Sequence, residues 1–312
     1  MSKIIFPSSW SLNINDFDEL SLRLSIPTDY LLSWDKKIPF FYRKKIIVKK
    51  GKERTLLIPT QELKSIQRKI LDNLFNFEFP NCVHGGIPGR SIITNAKIHL
   101  KQKWVMCLDI RKFFPSVHFK KIYSNFISLN CSPEVAKLLT HFTTHKHQLP
   151  QGTPTSPAIA NIVLYNFDKR IFNLCKIKGF KYSRYFDDVT ISGCSNPKSL
   201  LEKCELITNQ EGFKINKNSK KLRIMASTEE QIVTGLLVNG EKLQIPSKKI
   251  QKIQNKLEKL TSGDFSIFLN KEPVKIKATM KGYLAFLKSV EPQKTKELEE
   301  RFRKINWDSF CS

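Results

Sequence analysis

Three aspartates, Asp109, Asp187 and Asp188, are the residues whose types and surroundings point most directly to chemistry. Asp187 and Asp188 are adjacent in Tyr185-Phe186-Asp187-Asp188, and this tetrapeptide lies between β-forming runs at 182–185 and 189–192. The pattern predicts a hairpin with two acids at its tip. Like charges side by side in a tight turn repel, and a cation relieves the repulsion. An Asp-Asp turn alone is more often a solvated loop. Asp109 shifts the balance: it ends the apolar run 104–108, and ionised carboxylates are seldom buried without a partner. If that strand pairs beside the hairpin, three carboxylates meet with no His or Cys among them. Such a set suits hard cations, Mg²⁺ above all. Two such ions roughly 3.5 to 4 Å apart activate an attacking hydroxyl and stabilise a leaving pyrophosphate oxygen. The reaction class is then phosphoryl transfer, which needs mainly positioning and charge neutralisation.

Several elements must hold these acids. Leu12, Leu20, Leu22, Leu24, Leu31 and Leu32 recur among polar residues over 12–35, and Pro27 divides the stretch into two short helices. The β-runs 46–48 and 55–58 flank Lys49-Lys50-Gly51-Lys52-Glu53-Arg54, a hairpin with a cationic tip. That tip suits a triphosphate, with Arg54 the best bidentate candidate; the alternative is a set of edge-strand lysines that prevents aggregation. A helical period runs from Glu62 to Phe75. Residues 84–91 form a Gly- and Pro-rich loop, and a helix follows through Asn95, Ala96 and His99. The loop 149–157 opens an apolar helix, with Ser156 suited to the N-cap and Pro157 to the first helical position. From Glu241 onward, Lys242, Lys248, Lys249, Lys252, Lys256 and Lys259 are interleaved with Leu243, Ile245, Ile250, Ile253, Leu257 and Leu260. This basic amphipathic segment has little acidic compensation, which favours a phosphate-tracking face over a merely solvated one.

The composition agrees. The 312 residues carry 53 Lys and Arg against 28 Asp and Glu, a formal net charge of +25. That excess points to a polyanion, nucleic acid before an anionic membrane surface. With 40% hydrophobic residues the chain can build a large core and two or three subdomains. No apolar run reaches transmembrane length, and residues 1–7 are too short and broken for a signal peptide. A soluble cytoplasmic protein with no membrane partner is expected. Seven cysteines, an odd number without a Cys-x-x-Cys, fit reduced thiols. His141, His145 and His147, with Cys131 upstream, lack a paired-Cys knuckle and are read as helix-surface or RNA-facing rather than zinc ligands.

In chain order the sequence shows the basic hairpin, Asp109-Ile110-Arg111-Lys112-Phe113-Phe114-Pro115-Ser116, Leu149-Pro150-Gln151-Gly152, Tyr185-Phe186-Asp187-Asp188 and Gly212-Phe213-Lys214-Ile215-Asn216. These five elements resemble the motif series of reverse transcriptases, across nearly the whole chain. A Tyr-x-Asp-Asp alone is weak evidence; the ordered series is specific. Asn95-Ala96-Lys97-Ile98-His99 and Val233-Thr234-Gly235 resemble two hallmarks of bacterial retron reverse transcriptases, within the group II intron-like superfamily. Group II intron relatives usually carry extra maturase and endonuclease regions, and the shorter length here agrees with the retron resemblance.

The resemblance implies an α+β right-hand polymerase: an N-terminal helical segment (1–35), fingers (36–108), a palm with an antiparallel sheet (109–240) and a helical, RNA-binding thumb (241–312). It implies RNA-directed DNA synthesis from dNTPs with two Mg²⁺ ions. Asp109, Asp187 and Asp188 would be the catalytic, metal-binding carboxylates, with the Ile110 carbonyl as an added ligand. Phe114 would be the steric gate that crowds a ribose 2′-hydroxyl, while Phe113 reads as core. Lys52, Arg54, Gln151 and Gly152 would contact the nucleotide. Asn95, His99, Val233, Thr234, Gly235, Lys248, Lys249 and Lys252 would recognise RNA through shape and phosphates. The implied partner is a cognate structured noncoding RNA, copied from a guanosine 2′-hydroxyl primer into a branched RNA–DNA product, in anti-phage defence beside a separately encoded effector. Two other readings stay open: a bacterial reverse transcriptase without 2′-hydroxyl priming, and a noncatalytic RNA-binding scaffold that restrains a toxin. Phe186 stands where many retron enzymes have Ala, and the lysine expected after the Gly212 segment is Lys217 or Lys220.

Overall fold

The computed structural model describes residues 6–34, 37–49, 52–264 and 272–307. Two short helices open it, α1 (Phe17–Leu24) and α2 (Thr28–Ser33), divided at Pro27. The Asp16 side chain caps α1 by accepting from the Glu19 amide. Leu12 does not join these helices: it runs extended beside residues 129–131, its amide donating to the Leu129 carbonyl at 2.7 Å. A hairpin follows, β1 (Tyr42–Lys49) paired antiparallel with β2 (Lys52–Pro59) in the register Lys49↔Lys52. Helix α3 (Gln61–Leu74) buries Leu63, Ile66, Ile70 and Leu74, the one-sided spacing that its sequence predicts. Helix α4 (Ile92–Lys97) starts at a Ser91–Thr94 capping box. It ends before His99, earlier than the sequence pattern suggests.

A four-stranded antiparallel sheet holds the acids. Its members are β3 (Trp104–Asp109), β4 (Lys181–Tyr185), β5 (Asp188–Gly193) and β6 (Arg223–Ala226), in the order β4-β5-β3-β6. Between β3 and β4 lie α5 (Phe113–Ser116), α6 (Phe119–Ser128), α7 (Pro133–Thr143), α8 (Ser156–Val163) and α9 (Tyr165–Ile177); α10 (Leu201–Gln210) precedes β6. In α8 the cap is Thr155, one residue earlier than expected. The Ser156 hydroxyl instead donates to the Pro150 carbonyl at 2.6 Å and closes the preceding loop.

A small hairpin, β7 (Ile232–Val233) and β8 (Leu236–Leu237), leads to three helices: α11 (Ser247–Thr261), α12 (Pro273–Val290) and α13 (Pro292–Arg303). The basic helix starts only at Ser247; Leu243 and Ile245 precede it in extended chain, where Leu237 and Gln244 exchange backbone hydrogen bonds. Two hydrophobic cores result. Met106 and Leu108 of β3 belong to the first, with α3 and α6 to α9. Val105 belongs to the second, with Ala96, Met225, Val233, Leu236 and the helices α11 to α13. Alternation along β3 makes one strand a wall of both cores.

Candidate active site

Strand register brings the acids together. Asp109 at the end of β3 lies opposite Asp188 at the start of β5. Tyr185 pairs with Asp188, so Phe186 and Asp187 form a two-residue turn. Phe186 has φ 55°, the left-handed region that bulky residues occupy only when their surroundings hold them there. The Ile110 amide donates to the Asp187 carbonyl at 3.0 Å, tying the end of β3 to this turn.

Asp109 is buried, and its carboxylate accepts from Asn216 Nδ2 at 3.0 Å and from Lys221 Nζ. Lys221 Nζ is also 4.0 Å from Asp188 Oδ1. The ammonium thus balances part of the clustered negative charge. The Asp188 side chain is 51% exposed. Desolvation raises its carboxyl to about 6, the Asp187 charge adds to this, Lys221 opposes it, and Asp109 contributes further. Among the described residues no three His, Cys, Asp or Glu side chains already converge as metal ligands. The donor chemistry nevertheless fits a hard divalent ion: the set is oxygen only, and after desolvation the Asp187 and Asp109 charges push Asp188 up further, repulsion that a cation relieves.

Of the nucleotide-contact candidates, Phe114 lies beside the acid turn. Phe113 is buried against Phe213, while the partly exposed Phe114 ring lies 6.3 Å from the Phe186 ring. The loop at Gln151 and Gly152 docks on β2: the Leu57 amide donates to the Gln151 carbonyl at 3.0 Å. Gly152 has φ 108°, and a Cβ there would sit 3.3 Å from the Leu57 carbonyl oxygen, so this position favours glycine on both counts. The backbones of Lys52 and Arg54 lie on β2; their side chains fall outside the described residues.

The RNA-contact candidates divide. Asn95 and His99 are fully buried. His99 Nδ1 is 2.6 Å from Ser192 Oγ and Nε2 is 2.7 Å from Ser183 Oγ, so its ring bridges β5 and β4 beneath the sheet. Burial, with the Lys181 and His84 charges, holds its pKa down to about 3. In this structure neither the Asn95 nor the His99 side chain has surface open to RNA. Val233 is likewise buried. Thr234 and Gly235 form the β7–β8 turn with φ 45° and 87°, and Thr234 Oγ1 donates to the Ile92 carbonyl at 3.0 Å. The turn is thus pinned to the first residue of α4, the helix that carries Asn95 and Ala96. On α11, Lys248 and Lys252 are exposed, whereas Lys249 Nζ lies 4.0 Å from the Phe286 ring centroid.

Two groups escaped the sequence reading. Lys221, rather than Lys217 or Lys220, faces the acids; Lys217 instead pairs with Glu205 at 3.1 Å. The Asn216 bond to Asp109 was the other, although Asn216 closes the recognised Gly212 segment.

A sequence family described as reverse transcriptase (RNA-dependent DNA polymerase) matches residues 42–259. The retron Ec86 reverse transcriptase of Escherichia coli is 32% identical over 295 residues, covering 92% of this chain and 87% of that protein. The chain belongs to the retron reverse transcriptases. Similarity extends to the retron Se72 reverse transcriptase of Salmonella heidelberg, 34% identical over 237 residues, 72% of this chain and 62% of that protein. It also includes the retron Mx65 reverse transcriptase of Myxococcus xanthus, 30% identical over 275 residues, 80% and 61% respectively. This retron reverse transcriptase is thus an RNA-directed DNA polymerase with a right-hand fold, in a family that generally depends on divalent metal. Among the described residues no helix is long and apolar enough to cross a membrane.

Proposed function

We propose that the chain copies a cognate structured noncoding RNA into DNA from a guanosine 2′-hydroxyl of that RNA, leaving a branched RNA–DNA. The observation that carries the chemistry is the in-register pairing of Asp109 with Asp188 beside the Phe186–Asp187 turn. Asp109, Asp187, Asp188 and the Ile110 carbonyl would hold two Mg²⁺ ions, which when bound activate the attacking hydroxyl and neutralise the leaving pyrophosphate. Asn216 orients the Asp109 carboxylate, and Lys221 supplies a fixed positive charge at its edge. Phe114 crowds the sugar 2′ position and so selects dNTPs, Gln151 and Gly152 line the nucleotide, and Lys52 and Arg54 hold its triphosphate. Lys248, Lys249 and Lys252 track RNA phosphates by releasing counterions. Retron membership supports the branched priming, and with it a role in anti-phage defence alongside a separately encoded effector protein.

The test is nucleic acid co-purified from cells that express the chain with its native flanking locus, compared with an Asp187→Asn, Asp188→Asn double variant. A discrete DNA that depends on both acids and shortens on RNase or debranching treatment is the expected result. Unbranched DNA rejects the 2′-hydroxyl priming but keeps the polymerase. RNA without DNA from both proteins rejects the catalytic reading. Phage plating with and without the neighbouring gene tests the defence role.

A further inference from the structure

The turn that presents Asp187 and Asp188 is held from behind by a charge with no exposed surface. Arg184 on β4 is 0% exposed, and so buried an arginine needs acceptors along the N–H edges of its guanidinium. Asp168 on α9, also buried, supplies a fork: Arg184 Nε donates to Oδ1 at 2.7 Å and Nη2 to Oδ2 at 2.6 Å. The Tyr182 hydroxyl donates to the same Oδ1 at 2.6 Å and fixes the carboxylate. This leaves Nη1, which donates to the Phe186 carbonyl at 3.0 Å. Phe186 is the residue of the turn with positive φ, and its carbonyl begins the peptide that leads into Asp187.

The backbone reinforces this arrangement. The Arg184 amide donates to the Cys82 carbonyl and its carbonyl accepts from the His84 amide, both at 2.8 Å, which fixes the strand end beside the Gly85 loop. Asn161 on α8 donates to the Gly85 carbonyl at 2.9 Å. Apolar residues of similar volume commonly replace a buried ion pair without loss of stability. What they cannot replace here is a rigid donor reaching the tip of the turn.

We infer that Arg184, oriented by Asp168 and Tyr182, is a positioning residue that sets the pose of the acid-bearing turn. Asp168 fixes the plane of the guanidinium, and the free edge of that plane fixes the Phe186 carbonyl and hence the direction in which Asp187 leaves the turn. A lysine keeps the charge beside Asp168 but lacks the planar fork that serves three acceptors at once. The inference rests on the assignment of Asp187 and Asp188 as the metal-holding pair.

The experiment uses full-length Arg184→Lys and the double variant Arg184→Met, Asp168→Leu, which removes both charges together. Five quantities are compared with wild type: thermal midpoint, kcat and KM for dNTP on a primed RNA template, the Mg²⁺ concentration for half-maximal rate, and Mn²⁺ affinity of the substrate-free protein by electron paramagnetic resonance. A misplaced turn lowers kcat by roughly 10- to 100-fold. Mn²⁺ affinity falls several-fold and the Mg²⁺ requirement rises, with dNTP KM within about twofold. A folded variant whose kcat and Mn²⁺ affinity match wild type overturns the inference. So does a loss of activity that only follows the fraction folded, with normal kcat per folded molecule. The Asp187→Asn, Asp188→Asn protein, measured alongside, separates the two assignments: synthesis that survives there removes the acid pair itself.

Discussion

Gly85→Ala tests how tightly the acid turn is packed. A Cβ at Gly85 would sit 2.5 Å from the Phe186 backbone nitrogen and 2.9 Å from Phe186 Cγ, whereas ordinary contact begins at 3.4 Å. Something must move by roughly 1 Å, a misplacement that costs about 100-fold in rate when it reaches reacting groups. The Gly85 side has little freedom, since its carbonyl is bonded to Asn161 and the neighbouring His84 amide to Arg184. The displacement therefore falls largely on the Phe186–Asp187 turn. Overpacking of this kind also destabilises by about 1–3 kcal/mol. Single-nucleotide extension on a primed RNA template should show kcat down about 100-fold, near 2.7 kcal/mol of barrier, with RNA affinity close to wild type. Gly240→Ala is the control, because its nearest neighbour would be the Lys242 carbonyl oxygen at 3.8 Å. A folded Gly85→Ala protein that retains kcat within about threefold would refute the reasoning, since the loop would then yield without disturbing the turn.

Two further outcomes follow from the site. Phe114→Ala should raise the ratio of ribonucleotide to deoxyribonucleotide incorporation, measured with each rNTP against its dNTP; an unchanged ratio removes Phe114 from the gate. His99 is held neutral in the fold with its pKa down to about 3, while the unfolded chain protonates it below about 6.5. Its contribution is full above the unfolded value and is lost as pH falls toward the folded one, about 1 kcal/mol between pH 6.5 and 5.5. Urea unfolding at those two pH values should show that share missing in His99→Gln, and an equal fall in both proteins would contradict the assignment.

The parts of the site legible in the sequence are those written as local pattern. The apolar run 104–108 and the β-forming runs 182–185 and 189–192 are β3, β4 and β5, and Asp109, at the end of the first, lies where β5 begins. Lys221 was not legible. It follows Asn216 in a turn-rich segment with neither helical nor strand period, so nothing local distinguishes it from Lys217 or Lys220. Arg184 and Asp168 lie 16 residues apart on a strand and a helix, and their fork exists only once α9 packs behind the sheet. The burial of Asn95 and His99 is illegible for a related reason. A short motif names side chains without giving their direction, and polar types suggest a surface that the fold denies them.

The division of β3 between two cores bears on how the protein fails. Val105 packs with the C-terminal helices while Met106 and Leu108 pack with the other core, and the same six-residue strand ends in Asp109. Loosening either core strips one face of that strand. Unfolding should therefore proceed as a single cooperative event, in which heat that frees the C-terminal helices also scatters the acids. Calorimetry would give one transition rather than two, and limited proteolysis would not release a C-terminal fragment from an enzyme that still polymerises.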